Sequence, residues 1–143
     1  MTLLCRDLSE VASYAKVDNR QYRLLKAATP GSFTFILPAT KEVPRRLSHP
    51  SRKTIGLRVP DNRIALALMA EMGQPLLGAT LILPGDEHPL TDPDEICERL
   101  NNQVELVIDG GACSLMPTTV IDLSAENPVL VRQGKGDASA FGF

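Results

Sequence analysis

The sequence predicts an α/β fold of three layers built on a mixed β-sheet. Segments of strand and helix character alternate in the early part of the chain, and segments of strand character dominate later. Apolar residues make up 43% of the 143 residues, which is enough to bury a core. The length is typical of one domain, and no repeat or linker interrupts it. We therefore expect a single domain over residues 1–143.

Helices are expected where a capping side chain precedes a helical period and Gly or Pro follows it. The four predicted ranges are 8 to about 15, 19–28, 64–72 and 92 to about 101. Their caps are, in chain order, Asp7 or Ser9, Asp18, Asp61 or Asn62, and Asp92.

Strands are expected where β-forming residues stand between Pro or Gly breaks. The predicted ranges are 33–37, 54–59, 76–83, 104–108, 118–123 and 129–132. Residues 76–83 are almost continuously apolar, which is typical of a strand covered on both faces. The apolar opening at 2–5 is typical of an interior strand. Residues 38–53 contain three prolines and are predicted to form a loop with at most one helical turn.

The net charge of −2 conceals a strong asymmetry along the chain. Residues 1–63 hold 12 Lys/Arg against 5 Asp/Glu, whereas residues 64–143 hold 3 against 12. A dense basic group suits phosphate or a nucleic-acid backbone, and the alternative is a solvated loop paired with the acidic half. The densest basic group comprises Lys41, Arg45, Arg46, Arg52, Lys53 and Arg58.

Cysteine usage and apolar runs exclude several protein classes. The three cysteines are odd in number and far apart, which argues against a disulfide framework and against a Cys-x-x-Cys metal site. Cys5 and Cys97 are expected in the core and Cys113 in a loop. No apolar run is long enough to span a bilayer, and no secretory signal opens the chain. A cytoplasmic location is therefore predicted.

Familiar catalytic and nucleotide motifs are absent. No Gly-x-Gly-x-x-Gly follows the first strand, and GKG at 134–136 lacks the Walker spacing. His49 and His88 have no helical i, i+4 relation, so both are predicted to be exposed loop residues rather than zinc ligands. Six aromatic residues without Trp make a base-stacking platform for single strands improbable.

Several short strings nevertheless occur in a characteristic order. They are TPGSFTFIL at 29–37, KTIGLRVP at 53–60, LPG at 83–85, IDGG at 108–111, PTTVIDL at 117–123 and VLVRQG at 129–134. In order and spacing they resemble the YrdC family, specifically its YciO branch, from residue 1 to about 137. The resemblance implies one α/β domain with a twisted mixed sheet and a concave, positively charged cavity.

The resemblance also implies a function. The well-characterised branch makes threonylcarbamoyl-AMP and diphosphate from ATP, L-threonine and bicarbonate, for tRNA threonylcarbamoyladenosine, with ATP accompanied by magnesium. By the family pattern Arg58 and Arg132 contact phosphates, while Thr80 and Thr118 offer hydroxyls to the nucleotide. The alternative is a non-catalytic YciO-like protein that binds double-stranded RNA or tRNA through the basic group Lys41, Arg45, Arg46, Arg52 and Lys53.

Two departures from the family pattern bear on catalysis. Synthases carry Ser-Ala-Asn where this chain has Thr80, Leu81 and Ile82, and an isoleucine cannot replace an amide that binds phosphate. Family domains also have a further segment at the front, with the threonine pocket, that has no counterpart here. The resemblance thus covers roughly the C-terminal two thirds of the domain. A truncated domain is the resulting expectation, poorly stable or inactive alone, because apolar faces would be exposed.

Overall fold

The computed structural model describes residues 1–143 as two compact units. The first unit comprises residues 1–79 and 118–143, and the second comprises residues 80–117. The prediction of one domain stays a prediction. No helix is both long and apolar enough to cross a membrane.

The first unit holds a six-stranded sheet and three helices. The strands are β1 (Thr2–Leu4), β2 (Phe33–Pro38), β3 (Thr54–Arg58), β4 (Leu76–Gly78), β5 (Thr119–Asp122) and β6 (Val129–Arg132). Their order is β4-β1-β3-β2-β5-β6, and the pairs β1–β3 and β2–β5 are parallel while the others are antiparallel. The helices are α1 (Leu8–Tyr14), α2 (Asn19–Ala28) and α3 (Arg63–Met72). The predicted α/β fold with a mixed sheet is confirmed.

The helices begin where capping side chains supply acceptors for free backbone N–H groups. The Asp7 carboxylate accepts from the backbone N–H of Glu10, so Asp7 rather than Ser9 is the cap of α1. Asp18 and Gln21 form a reciprocal capping box at α2. Asn62 caps α3, and Gly73 ends that helix with a φ of 67°.

The sheet has one buried face and one half-exposed face. Side chains alternate between the faces along each strand, so residues two apart share a face. The buried face contributes Leu3, Phe35, Leu57 and Ile121 to a core shared with Val11 of α1 and Leu25 of α2. The opposite face carries the alternate residues of the central strands, among them Thr34, Gly56, Arg58 and Val120, and most of these remain partly accessible. Charged side chains on a half-exposed face stay available to a ligand.

The second unit contains one helix, α4 (Pro93–Arg99), capped by Asp92. The Arg99 guanidinium forms a bidentate ion pair with Asp86, in which its two terminal nitrogens donate to the two carboxylate oxygens at 2.7 Å and 3.1 Å. That hydrogen bond raises the pKa of Arg99 above its ordinary value. Leu100 is buried beside the end of the helix.

Three expectations from the sequence are wrong, two of them wholly within the second unit. The predicted strand 76–83 ends at Gly78, and Leu77 is 42% exposed instead of covered on both faces. Residues 104–108 form no strand, because no neighbouring strand pairs with them. Cys97 is exposed on α4 rather than buried in the core, whereas Cys5 is fully buried.

Candidate functional site

Arg58 is the last residue of β3 and lies on the half-exposed face of the sheet. It pairs with Leu4 of β1, and the register that joins Leu57 to Phe35 puts Arg58 beside Thr34 of β2. Its Nε atom is buried and has no hydrogen-bond partner, and its guanidinium makes no ion pair. Burial lowers the pKa of Arg58 below its ordinary value. A buried cationic donor without an acceptor is costly, and a bound anion would remove that cost.

Two threonines, Thr34 and Thr118, lie next along the face of the sheet that carries Arg58. Thr34 is nearly buried, and its hydroxyl lies 2.8 Å from the hydroxyl of Thr118, which immediately precedes β5. This cross-strand contact follows from the parallel pairing of Thr34 with Val120, since Thr118 stands two residues before Val120 on the same face. Each threonine hydroxyl can both donate and accept a hydrogen bond.

Arg132 ends β6 beside Thr118. Its Nε and one terminal nitrogen donate to the Thr118 carbonyl at 3.1 Å and 2.9 Å, and that nitrogen lies 3.5 Å from the Thr118 hydroxyl. The other terminal nitrogen makes no hydrogen bond within the chain. The two carbonyl contacts fix the plane of the guanidinium, so its remaining edge is held ready for an anion.

Arg58, Thr34, Thr118 and Arg132 therefore share one face of the sheet, and we call them the arginine–threonine row. Neither arginine of the row has a carboxylate within ion-pair distance. Asp122 lies on the same face, but its carboxylate approaches Arg52 at 4.0 Å and accepts from Ser124. The row is thus locally cationic although the chain as a whole is weakly acidic.

The turn after Arg132 is fixed from beneath by Thr119, which is fully buried. The Thr119 hydroxyl donates to the Gly136 carbonyl at 2.6 Å and accepts from the Gly134 N–H at 3.0 Å. The side-chain amide of Gln133 also donates to the Gly136 carbonyl. These bonds tie the end of β6 to β5 and so hold Arg132 in place.

The remaining predicted site residues lie elsewhere. Thr80 is the first residue of the second unit and is exposed, with its carbonyl accepting from the Ile82 N–H. Five of the six residues of the basic group lie on the connection between β2 and β3, which contains a 3-10 turn at Arg45–Leu47, and the sixth, Arg58, ends β3. All five of its predicted RNA-binding residues are exposed: Lys41, Arg45, Arg46, Arg52 and Lys53.

Sequence reasoning missed Thr34 and Thr119. Thr34 stands in a strand of apolar neighbours, where a threonine is an ordinary β-former, and only the pairing of β2 with β5 brings it to Thr118. The only sequence feature that points toward Thr119 is the string GKG at 134–136. The backbone groups of this glycine-rich turn form hydrogen bonds with the Thr119 hydroxyl. Both His49 and His88 are exposed, as predicted for loop residues.

Known proteins match this chain along most of its length. The sequence model of the Sua5/YciO/YrdC family, described as telomere recombination, matches residues 1–134. Uncharacterized protein YciO of Escherichia coli is 56% identical over 140 residues, which cover 98% of this chain and 68% of YciO. The crystal structure of E. coli YciO superposes with a TM-score of 0.93 over the same shares of the two chains.

More distant relatives carry a named activity or ligand. The threonylcarbamoyl-AMP synthase of Bacillus subtilis is 30% identical over 112 residues, covering 78% of this chain and 32% of the synthase. The crystal structure of Pyrococcus abyssi Sua5 complexed with L-threonine has a TM-score of 0.83 at 28% identity, covering 93% of this chain and 39% of Sua5. The family match and the YciO fold agree with the resemblance found in the sequence. This chain belongs to the Sua5/YciO/YrdC family.

Proposed function

We propose that the chain binds the polyphosphate of ATP on its arginine–threonine row. The observation that carries the proposal is the unpartnered guanidinium of Arg58, whose buried Nε has no acceptor within the chain. A polyphosphate oxygen is the acceptor that this donor needs, since a guanidinium keeps its charge and matches phosphate geometry with two parallel donors.

The other members of the row suit the same ligand. Arg132 offers a free edge of a guanidinium that two carbonyl contacts hold in place. Thr118 lies between the arginines and supplies a hydroxyl. Two fixed cations and hydroxyl donors can distribute their contacts along a triphosphate, with Mg²⁺ arriving as part of the Mg–ATP substrate.

The reaction that fits this ligand is adenylation of the kind catalysed by threonylcarbamoyl-AMP synthases. A carbamate oxygen of N-carboxythreonine, which forms from L-threonine and bicarbonate with loss of water, attacks the α-phosphorus of ATP. The bond between the α-phosphorus and the bridging oxygen breaks, and diphosphate leaves with the electron pair. Arg58 and Arg132 stabilise the charge that gathers on the phosphates. The synthase relatives support this reaction class.

Isothermal titration of Mg–ATP into the full chain tests the binding proposal. Arg58→Ala should weaken binding by about 10- to 100-fold, because hydrogen bonds to charged groups contribute about 1.5–3 kcal/mol. Arg23→Ala is the matched control, since Arg23 is an exposed arginine on α2 whose side chain hydrogen-bonds to the Asn19 carbonyl of the same helix. No binding by the wild type, or equal affinity of the wild type and Arg58→Ala, would overturn the proposal.

Release of diphosphate tests the adenylation step separately. The wild type should release diphosphate from ATP only when L-threonine and bicarbonate are both present. Release that is independent of threonine would contradict this substrate, while ATP binding without release would leave the row as a nucleotide-binding site and reject the synthase reaction.

A second candidate function is binding of double-stranded RNA by the basic group on the β2–β3 connection. The favouring observation is that four of its five side chains have no ion pair, while Arg52 only approaches Asp122 at 4.0 Å. The pairing with acidic residues that the alternative interpretation requires is therefore limited to Arg52. When exposed cations without ion-pair partners bind a phosphate backbone, they displace the counterions condensed on the RNA.

Filter binding of a duplex RNA at several salt concentrations tests this candidate. Several phosphate contacts should make the logarithm of the affinity fall linearly with the logarithm of the salt concentration. The double variant Arg45→Gln/Arg46→Gln should reduce that slope by about 2, one for each lost contact. This function would be eliminated if the amount of RNA retained on the filter did not depend on the salt concentration, or if no RNA were retained at low salt.

A further inference from the structure

Arg132 stands at a weakly supported point of the sheet. β6 is an outer strand, so only β5 pairs with it, and Arg132 is its last residue. The register also shifts just before this residue, since Leu130 pairs with Ile121 whereas Arg132 pairs with Val120. Such a shift leaves one residue of β6 without a partner and disrupts the ladder locally. Strand pairing alone therefore gives the backbone of Arg132 little support.

A buried group of hydrogen bonds holds the chain just after β6, on the opposite face of the sheet. Side chains alternate along β5, so Thr118 lies on the half-exposed face and Thr119 lies on the core face, fully buried. The Thr119 hydroxyl accepts from the Gly134 N–H at 3.0 Å and donates to the Gly136 carbonyl at 2.6 Å. The Gln133 side-chain amide donates to the same carbonyl at 2.8 Å. We call Thr119, Gln133, Gly134 and Gly136 the β6 anchor.

The β6 anchor has neither a spare partner nor spare room. The Gly134 N–H has no other acceptor within the chain, so loss of the Thr119 hydroxyl would leave this half-buried donor unsatisfied. At Gly136 a Cβ would lie 2.8 Å from the Phe33 ring, which shows how closely the turn packs against β2. Only one residue separates Gly134 from Arg132, and two residues of extended chain span at most about 7 Å. A shift of the turn therefore displaces Arg132 as well.

We propose that Thr119 is a positioning residue for ATP, which acts from the core face through Arg132 and touches no ligand. This inference rests on the proposed ATP site, because Arg132 belongs to the arginine–threonine row. The β6 anchor fixes the backbone from which the Arg132 guanidinium donates twice to the Thr118 carbonyl. Without the Thr119 hydroxyl, the ligand itself would have to order Arg132, and the affinity for ATP would fall.

Isothermal titration of Mg–ATP into hydroxyl variants of the full chain tests the proposal. Thr119→Val keeps the shape of the side chain and removes its hydroxyl, and it should weaken binding by about 5- to 30-fold, part of the loss expected of Arg132→Ala. Thr119→Ser keeps the hydroxyl and should bind within about 2-fold of the wild type.

A double-mutant cycle shows whether Thr119 acts through Arg132. If it does, Thr119→Val should change the affinity of Arg132→Ala by less than about 2-fold, because the group that it positions is already gone. An independent contribution of Thr119 would instead add its full effect in the Arg132→Ala background.

Ile121→Val separates positioning from a general loss of stability. Ile121 is fully buried on the same face of β5, two residues after Thr119, and belongs to the core but not to the β6 anchor. This variant should lower the midpoint of urea denaturation, because it removes a buried methylene, and should bind Mg–ATP like the wild type.

The Arg132 side chain can also be observed without any ligand. In proton–nitrogen NMR spectra its Nε–H should exchange slowly with water, because Nε donates to the Thr118 carbonyl at 3.1 Å. Thr119→Val should shift this signal and speed its exchange by at least about 3-fold, whereas Ile121→Val should do neither. Gln133→Leu, at an exposed position of the β6 anchor, should move the same signal by a smaller amount if Thr119→Val does not fold.

Three results would overturn the proposal. The first is an unchanged Arg132 signal and unchanged ATP affinity in Thr119→Val, which would leave the proposed ATP site intact. The second is an equal loss of affinity in Thr119→Val and Ile121→Val, since Thr119 would then act only through stability. The third is a wild type that does not bind Mg–ATP, which would reject the ATP site as well, while the ligand-free spectra would still report whether Thr119 positions Arg132.

Discussion

β3 and residues 104–110, which belong to no strand, have similar compositions and opposite environments. Both consist largely of β-forming residues bounded by turns. β3 is hydrogen-bonded to β1 on one side and to β2 on the other, and its Leu57 is 1% exposed. Leu106, within residues 104–110, is 76% exposed. A strand-like composition alone therefore does not bury the side chains. Burial also requires neighbouring strands that form hydrogen bonds with the backbone.

The same difference explains why the candidate ATP site lies in the sheet. Pairing on both sides of β2 and β3 fixes the backbone, so Arg58 and Thr34 keep their relative positions without a ligand. Fixed cations stabilise an anion without a cost of reorganisation when the ligand arrives. Residues 104–110 have no such support, because no strand pairs with them.

Truncation of one leucine in each region should separate them most clearly. Leu57→Ala should lower the free energy of unfolding by about 2–5 kcal/mol, because it leaves a cavity in the core. Leu106→Ala should change that free energy by no more than about 0.5 kcal/mol. Urea denaturation of both variants gives the comparison. Equal losses would mean that the second unit packs Leu106 as tightly as the sheet packs Leu57.

Substitutions of two glycines test how closely the chain packs around the sheet. In Gly136→Ala the new Cβ would lie 2.8 Å from the Phe33 ring and 2.9 Å from the Ser32 carbonyl. This overpacking should cost about 1–3 kcal/mol of unfolding free energy. In Gly56→Ala the nearest atom is 3.5 Å away, so stability should be nearly unchanged. Thermal denaturation measures both, and a tolerated Gly136→Ala would contradict the close packing of the turn after β6 against Phe33 and Ser32.

The buried and exposed thiols predict a difference in pH dependence. Burial, with smaller effects from the Glu10 and Asp7 carboxylates, raises the pKa of Cys5 from 9.0 to about 12. Above pH 9 the unfolded chain loses this proton while the folded chain keeps it. Stability should therefore fall by about 1.4 kcal/mol per pH unit between pH 9 and pH 12.

Urea denaturation at several pH values tests that slope. Cys5→Ala should remove this contribution, and Cys97→Ala should retain it because Cys97 is exposed on α4. An unchanged slope in Cys5→Ala would contradict the protection of this thiol by the core.

The sequence predicted the elements whose signals are local. The bounds of α2 follow from the Asp18 capping box and from Thr29-Pro30, and both are neighbours in the chain. The failures at 76–83 and 104–108 have a different cause, since a strand needs partners that local sequence does not specify. The arginines of the row were singled out by resemblance, whereas Thr34 required the β2–β5 register. Cys97 was misplaced because a cysteine on a helix can face either way.

The most direct test of the central claim observes the arginine side chains themselves. Proton–nitrogen NMR spectra resolve the Nε–H groups of arginines, and variants assign the signals of Arg58 and Arg132. On addition of Mg–ATP, the signals of both residues should shift at the same ligand concentration, and their exchange with water should slow. Shifts confined to arginines of the basic group on the β2–β3 connection, with Arg58 and Arg132 unmoved, would contradict the account.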